Sequence, residues 1–163
     1  MEKQWWINLS ETKSLLILGI GNPSRGDDAV GPLIIEWLED RVGFECRWNY
    51  QLQIEDAEAI DAYDAVLFID AHVNQESLID LSEVCPLEDS SFTTHSLSPE
   101  AVTSLNRKYF SQHPKVQLLS LKGESFELGA ELSNTAELAL SEAKVFLTQF
   151  LCEFETTALL SEN

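Results

Sequence analysis

A strand that is apolar at every position must be covered on both faces, and "LLILG", Leu15 to Gly19, is written as such a strand, predicted over residues 14–19. A turn follows, "GIGNPSRGDD", with glycine at 19, 21 and 26 and ending in adjacent aspartates, Asp27 and Asp28. Beyond it Val30, Leu33, Ile34, Trp37 and Leu38 recur at the spacing of an amphipathic helix, predicted over residues 29–41. Strand, glycine turn and helix together make the opening unit of a parallel α/β sheet, because only helices on both faces can cover such a strand.

The rest of the chain repeats this alternation. "CRWNYQLQI" predicts a strand over 46–54, "DAEAIDA" a short helix over 56–62, and "AVLFI" a doubly buried strand over 65–69 that ends at Asp70. Residues 78–84 predict an edge strand. Ser98, Pro99 and Glu100 are an N-cap, an N1 proline and an early acid, so a helix is predicted over 98–109. "VQLLSL" predicts a strand over 116–121. A last helix starts at Ser133 or Asn134 and buries Ala136, Leu140, Ala143, Leu147, Phe150, Leu151 and Phe154. The expected architecture is a three-layer α/β/α sandwich around a largely parallel twisted sheet. At 163 residues, 44% of them hydrophobic, the chain is expected to form one domain over residues 1–163, with Trp5 and Trp6 packed over the core edge.

Charge and cysteine usage narrow the partners. Ten basic residues against 28 acidic ones give a formal charge of −18, which repels phosphate backbones and anionic lipid, so neither nucleic acid nor a membrane is expected. The acidic excess is densest after Gly123, where eight glutamates face Lys144 alone; a solvated face is the expected role. Cys46, Cys85 and Cys152 are odd in number and show no C-x-x-C spacing, and no secretory apolar stretch stands near Met1. A cytoplasmic location follows, with each cysteine expected as a small buried or half-buried apolar side chain.

Ligands of open α/β sheets bind where the strands end at their carboxyl side. Three candidates occupy such positions: Asp28 after the first strand, Asp70 after the third, and His95 in the loop before the helix at Ser98. Each has a plainer role to set beside this one. Asp27 or Asp28 is an N-cap candidate, but only one of them can cap. Asp70 can close a turn, and a loop histidine ordinarily bonds local backbone. Two carboxylates and one imidazole taken together suit a borderline divalent ion such as nickel, zinc or cadmium, with coordination positions left open for water or a substrate group. A dinucleotide fingerprint fails, because Ser24 stands where G-x-G-x-x-G needs its last glycine and the carboxylates would face a pyrophosphate. "GIGNP" also resembles the start of the peptidyl-tRNA hydrolases, yet the histidine and asparagine context of that family is missing and the net charge opposes tRNA.

The motifs "LLILGIGNPSRGDDAVGP", "VLFIDA", "THSLSP" and "GESFELGAELS", in that order, resemble the hydrogenase maturation proteases, which trim the C-terminus of the large subunit of [NiFe]-hydrogenases. The pattern of "YQLQIEDA" is nearer the branch serving bidirectional, NAD-linked enzymes. The resemblance implies an endopeptidase acting on a large-subunit precursor, with Asp28, Asp70 and His95 engaging nickel that the precursor itself supplies. It nominates no nucleophile. The alternative of another class is a non-catalytic nickel-binding or metallochaperone module built on the same three residues. Two departures stand out: some relatives carry glutamate where Asp28 stands, and an Asp-Gly-Gly-Thr-like stretch of many relatives is replaced by "QIEDAEA", leaving Gln53, Glu55 and Asp56 without an inherited role.

Overall fold

The computed structural model describes residues 11–40, 44–87 and 97–161. A five-stranded sheet forms from β1 (Leu15–Ile20), β2 (Glu45–Asn49), β3 (Ala65–His72), β4 (Ile79–Glu83) and β5 (Lys115–Lys122) in the order β2-β1-β3-β5-β4. β1 pairs in parallel with β2 and β3, and β3 with β5; β4 lies antiparallel at the edge. The helices are α1 (Val30–Leu38), α2 (Asp56–Ala59, prolonged by a 3-10 turn Ile60–Ala62), α3 (Pro99–Tyr109) and α4 (Asn134–Ser161). The α/β/α sandwich expected from the alternation is therefore the observed architecture.

Each face of the sheet has its own core. Val30, Ile34 and Leu38 of α1 and Ala143, Leu147 and Phe150 of α4 pack on Leu15, Ile17, Leu67, Ile69 and Leu119. Ala57 and Ile60, with Val102 and Leu105 of α3, pack on Leu16, Leu18, Val66, Phe68 and Val116. The two sets of strand residues alternate, as the period-two geometry of a strand requires. Right-handed crossovers explain the split: β1 to β2 runs one way across the sheet and β2 to β3 runs back, so α1 and α2 must cover opposite faces. The reversal opens a crevice at the carboxyl ends of β1 and β3.

Close approach of α1 to that crevice depends on Gly31. A Cβ there would sit 2.4 Å from the Ile20 carbonyl oxygen and 2.9 Å from that of Ile69. No other residue lets the first turn of α1 rest on both strand ends.

Local signals placed several boundaries well. Ser98 Oγ accepts the Ala101 N–H at 3.2 Å, the expected N-cap of α3, and Ser133 Oγ accepts the Ala136 N–H at 3.1 Å at the start of α4. Others differ from expectation. β2 stops at Asn49 instead of 54, because Asp56 Oδ2 accepts the Gln53 N–H, Asp56 Oδ1 accepts Asn49 Nδ2, and Leu52 turns into the α2/α3 core to bridge Leu97. α1 begins at Val30, after a 3-10 turn Gly26–Ala29. Cys85 and Cys152 are exposed and only Cys46 is half-buried, so two of the three cysteines contradict the expected burial: Cys85 follows the edge strand and Cys152 lies off the α4 stripe. Trp5, Trp6 and Arg41 lie outside the described residues. No helix among the described residues is long and apolar enough to cross a membrane.

Candidate functional site

Asp28, in the turn after β1, and Asp70, in β3, both lie at the carboxyl-end side of the sheet where β1 and β3 part, close enough for the charge of Asp28 to act on Asp70. Asp28 arrives there because Gly21 turns the chain with φ +143°, and a Cβ at Gly21 would fall 1.9 Å from the Asp28 carbonyl oxygen. The Asn22 N–H donates to Asp28 Oδ2 at 2.7 Å. Asp70 sits inside β3 rather than beyond it, since the strand runs on to His72. By alternation it lies on the face of Val66 and Phe68, the face covered by α2 and α3. Its Oδ1 accepts the N–H of Ala71 at 2.8 Å. The second oxygen of each carboxylate has no hydrogen bond among the described residues.

Burial pushes the Asp70 carboxyl up to about 7; the Ala71 N–H opposes this and the Asp28 charge adds to it. A carboxyl whose ionisation is opposed by burial and by a neighbouring carboxylate costs the fold stability, and its charged form is favoured by a positive group set beside the pair.

Asp27, the neighbour of Asp28, has a different role from either one expected. No side chain caps the 3-10 turn or α1, so neither aspartate is an N-cap. Asp27 is fully buried, and its carboxylate accepts the N–H of Glu124 (2.7 Å), Ser125 (2.9 Å) and Ser133 (2.7 Å) and the Ser133 hydroxyl (2.7 Å). Burial raises its pKa, but these four bonds outweigh that and hold the group below the usual carboxylate range. The Asp27 N–H in turn donates to the Ser125 carbonyl at 2.8 Å. Asp27 thus clasps the glycine turn to the loop between β5 and α4, and Asp28 is presented from that fixed turn. The adjacent aspartates divide the work: one holds the loop, the other faces the crevice.

His95 lies outside the described residues; the chain resumes at Leu97, whose N–H donates to the Leu52 carbonyl at 3.2 Å on the α2/α3 side of the sheet. Among the described residues no three His, Cys, Asp or Glu side chains converge as metal ligands. The structure thus brings together two of the three sequence-predicted site residues. A divalent ion held by other ligands fits such an incomplete set better than a free ion does.

Two features escaped the sequence reading. His72 ends β3 two residues after Asp70, hence on the same face, and its Nδ1 accepts the Asn74 N–H at 3.2 Å. The D-x-H spacing in a strand was the available signal. Beside the glycine turn, a groove of about 660 Å³ opens at the end of β2, lined by Trp48, Asn49, Tyr50, Gln53 and Glu55 among others. It adjoins the turn through the Gly21 N–H, which donates to the Asn49 carbonyl at 3.0 Å. Of the three residues without an inherited role, Asp56 is structural, whereas Gln53 and Glu55 are exposed and face this groove.

Solved structures share this architecture. The crystal structure of a [NiFe] hydrogenase maturation protease, HycI, from Thermococcus kodakarensis KOD1 superposes with a TM-score of 0.69 at 22% identity, covering 90% of this chain and 96% of that one. The hydrogenase maturating endopeptidase HybD from E. coli gives 0.59 at 24% identity, over 83% and 93% of the two chains. The solution structure of an endopeptidase from Escherichia coli gives 0.64 at 24% identity, over 88% and 93%. No family model matches the chain, and no curated protein matches it. Likeness at this identity establishes a common fold.

Proposed function

We propose that this protein is an endopeptidase that removes the C-terminal extension of a [NiFe]-hydrogenase large-subunit precursor after nickel has been inserted. The observation that carries the proposal is the Asp28–Asp70 pair at the reversal point of a sheet whose fold recurs in structures described as hydrogenase maturation proteases. In this reading the nickel is substrate, brought by the precursor. Asp28 and Asp70, with His95, complete its coordination.

Two roles belong to this chain's own groups. Asp70 gives up its proton as its carboxylate meets the positive centre, so the charged form that burial and the Asp28 carboxylate disfavour is stabilised when a loaded precursor is bound. The groove beside the glycine turn offers backbone and amide groups for an extended polypeptide next to that point. When bound, the metal polarises a carbonyl or a water, the chemistry that peptide hydrolysis needs. A precursor lacking nickel supplies nothing to join the two carboxylates and is not trimmed.

The test is incubation with nickel-loaded and nickel-free precursor, reading the mass of each product. Shortening of the loaded form alone is the expected result, abolished by Asp70→Asn and by His95→Ala; equal trimming by both variants refutes the assignment. Calorimetry separates the metallochaperone alternative. Tight stoichiometric binding of free nickel would favour delivery over recognition on a substrate.

A further inference from the structure

The groove at the end of β2 does not stop at Glu55. A second hollow, about 280 Å³, lies between α2 and α3 and shares Glu55 as a lining residue. Its walls are apolar: Ala57 and Leu105 are buried at its base, and Ile54, Tyr109 and Phe110 stand around it. Ile54 and Tyr109 are each 64% exposed, as is Tyr50 in the adjoining groove. Three large apolar side chains left that open along two adjoining hollows that share Glu55 form a patch, which differs from scattered surface residues in favouring a partner. Glu55 and Glu58 are the charged lining residues of the hollow, and both belong to its α2 side. Neither forms an ion pair among the described residues.

We infer that this trough, from Trp48 and Tyr50 past Ile54 to Tyr109 and Phe110, is a docking surface for an extended segment of the precursor carrying an apolar side chain flanked by lysine or arginine. The inference rests on the proposed function for the identity of the partner. The apolar side chain fills the hollow between α2 and α3, and the cation lies against Glu55 and Glu58. Three observations select this occupant. The trough begins beside the glycine turn that presents Asp28, so a chain lying in it is continuous with one reaching the carboxylates. Its charged lining is acidic within a protein of net charge −18, which draws a basic segment and repels an acidic one. Its form is a shallow trough rather than a closed pocket, which suits a polypeptide and not a small molecule.

The consequence is a division of labour. The carboxylates read whether nickel is present, and the trough, some way along the surface, reads which polypeptide carries it. Joining two weak contacts on one chain raises the affinity of the pair well above either.

The experiment uses the full chain and a nickel-loaded precursor bearing its extension, with binding measured as Kd by interferometry and trimming by mass. The variants are Ile54→Ser with Tyr109→Ser, and Glu58→Lys alone, all at exposed positions; a melting curve for each checks the fold. The double variant is expected to raise Kd and KM about tenfold, the loss typical of truncating central contacts, with the effect in KM rather than kcat. Glu58→Lys is expected to weaken binding less and to flatten its salt dependence. Unchanged Kd and KM in both variants, with normal trimming by the unaltered protein, overturn the trough and leave the proposed function standing. A dimer seen by sedimentation that the double variant abolishes assigns the trough to a second copy and overturns the inference. An unaltered protein that neither binds nor trims the precursor overturns both readings.

Discussion

Replacing Asp70 by asparagine should make this protein more stable. The carboxyl titrates at about 7 in the fold against 3.8 as reference, because it is buried beside Asp28. Between those values the folded chain keeps a proton that the unfolded chain has lost, so folding becomes progressively less favourable as pH rises through this window. The penalty is absent below the unfolded value and complete above the folded one. A shift of about three units at about 1.4 kcal/mol each makes the full penalty about 4 kcal/mol, with about 1.5 kcal/mol already present at pH 5. Asparagine has the same shape, keeps an oxygen for the Ala71 N–H and never ionises. Denaturant unfolding at a series of pH values should therefore show Asp70→Asn gaining about 2–4 kcal/mol at pH 8 and almost nothing near pH 4. Asp28→Asn, which removes the smaller charge contribution, should give a smaller gain with the same pH trend. No gain at pH 8, or a gain independent of pH, would show that Asp70 carries no buried, repelled charge and would remove the main physical argument for the site. A stability cost confined to a group facing the crevice is what a binding site is expected to show.

Other positions give sharp expectations. Asp27→Ala removes a buried carboxylate and strands three N–H groups and a hydroxyl, and should cost about 3–5 kcal/mol by denaturant unfolding. Because the Asp27 pKa is lowered in the fold, its contribution is present above the unfolded value of 3.8 and is lost as pH falls through the folded value, so the gap between wild type and variant should close in acid. Gly31→Ala drives a methyl to 2.4 Å from the Ile20 carbonyl, where neither backbone can yield cheaply; a loss of about 1–3 kcal/mol and a lower Tm are expected. Ser98→Ala removes the accepted Ala101 N–H bond at the start of α3 and should cost about 1 kcal/mol.

What the sequence determined on its own is local in origin. The all-apolar run at Leu15, the stripe of α4 and the Ser98-Pro99 start are patterns over a few residues, and the strand and helix periods translate them into elements and a fold class. Because strand ends are also local, the sequence alone points to the mouth of the sheet as the place of Asp28 and Asp70. Tertiary structure alone decided what the two adjacent aspartates do: Asp27 meets Ser133 across 106 residues, and no spacing within the glycine turn announces that bond. It also decided where β2 ends, since Asp56 and Leu97 compete with the strand for its last residues, and which cysteines reach solvent. The trough between α2 and α3 belongs to the same class. Its walls come from segments some fifty residues apart, and a concave surface arises from how two elements pack rather than from the pattern of either one.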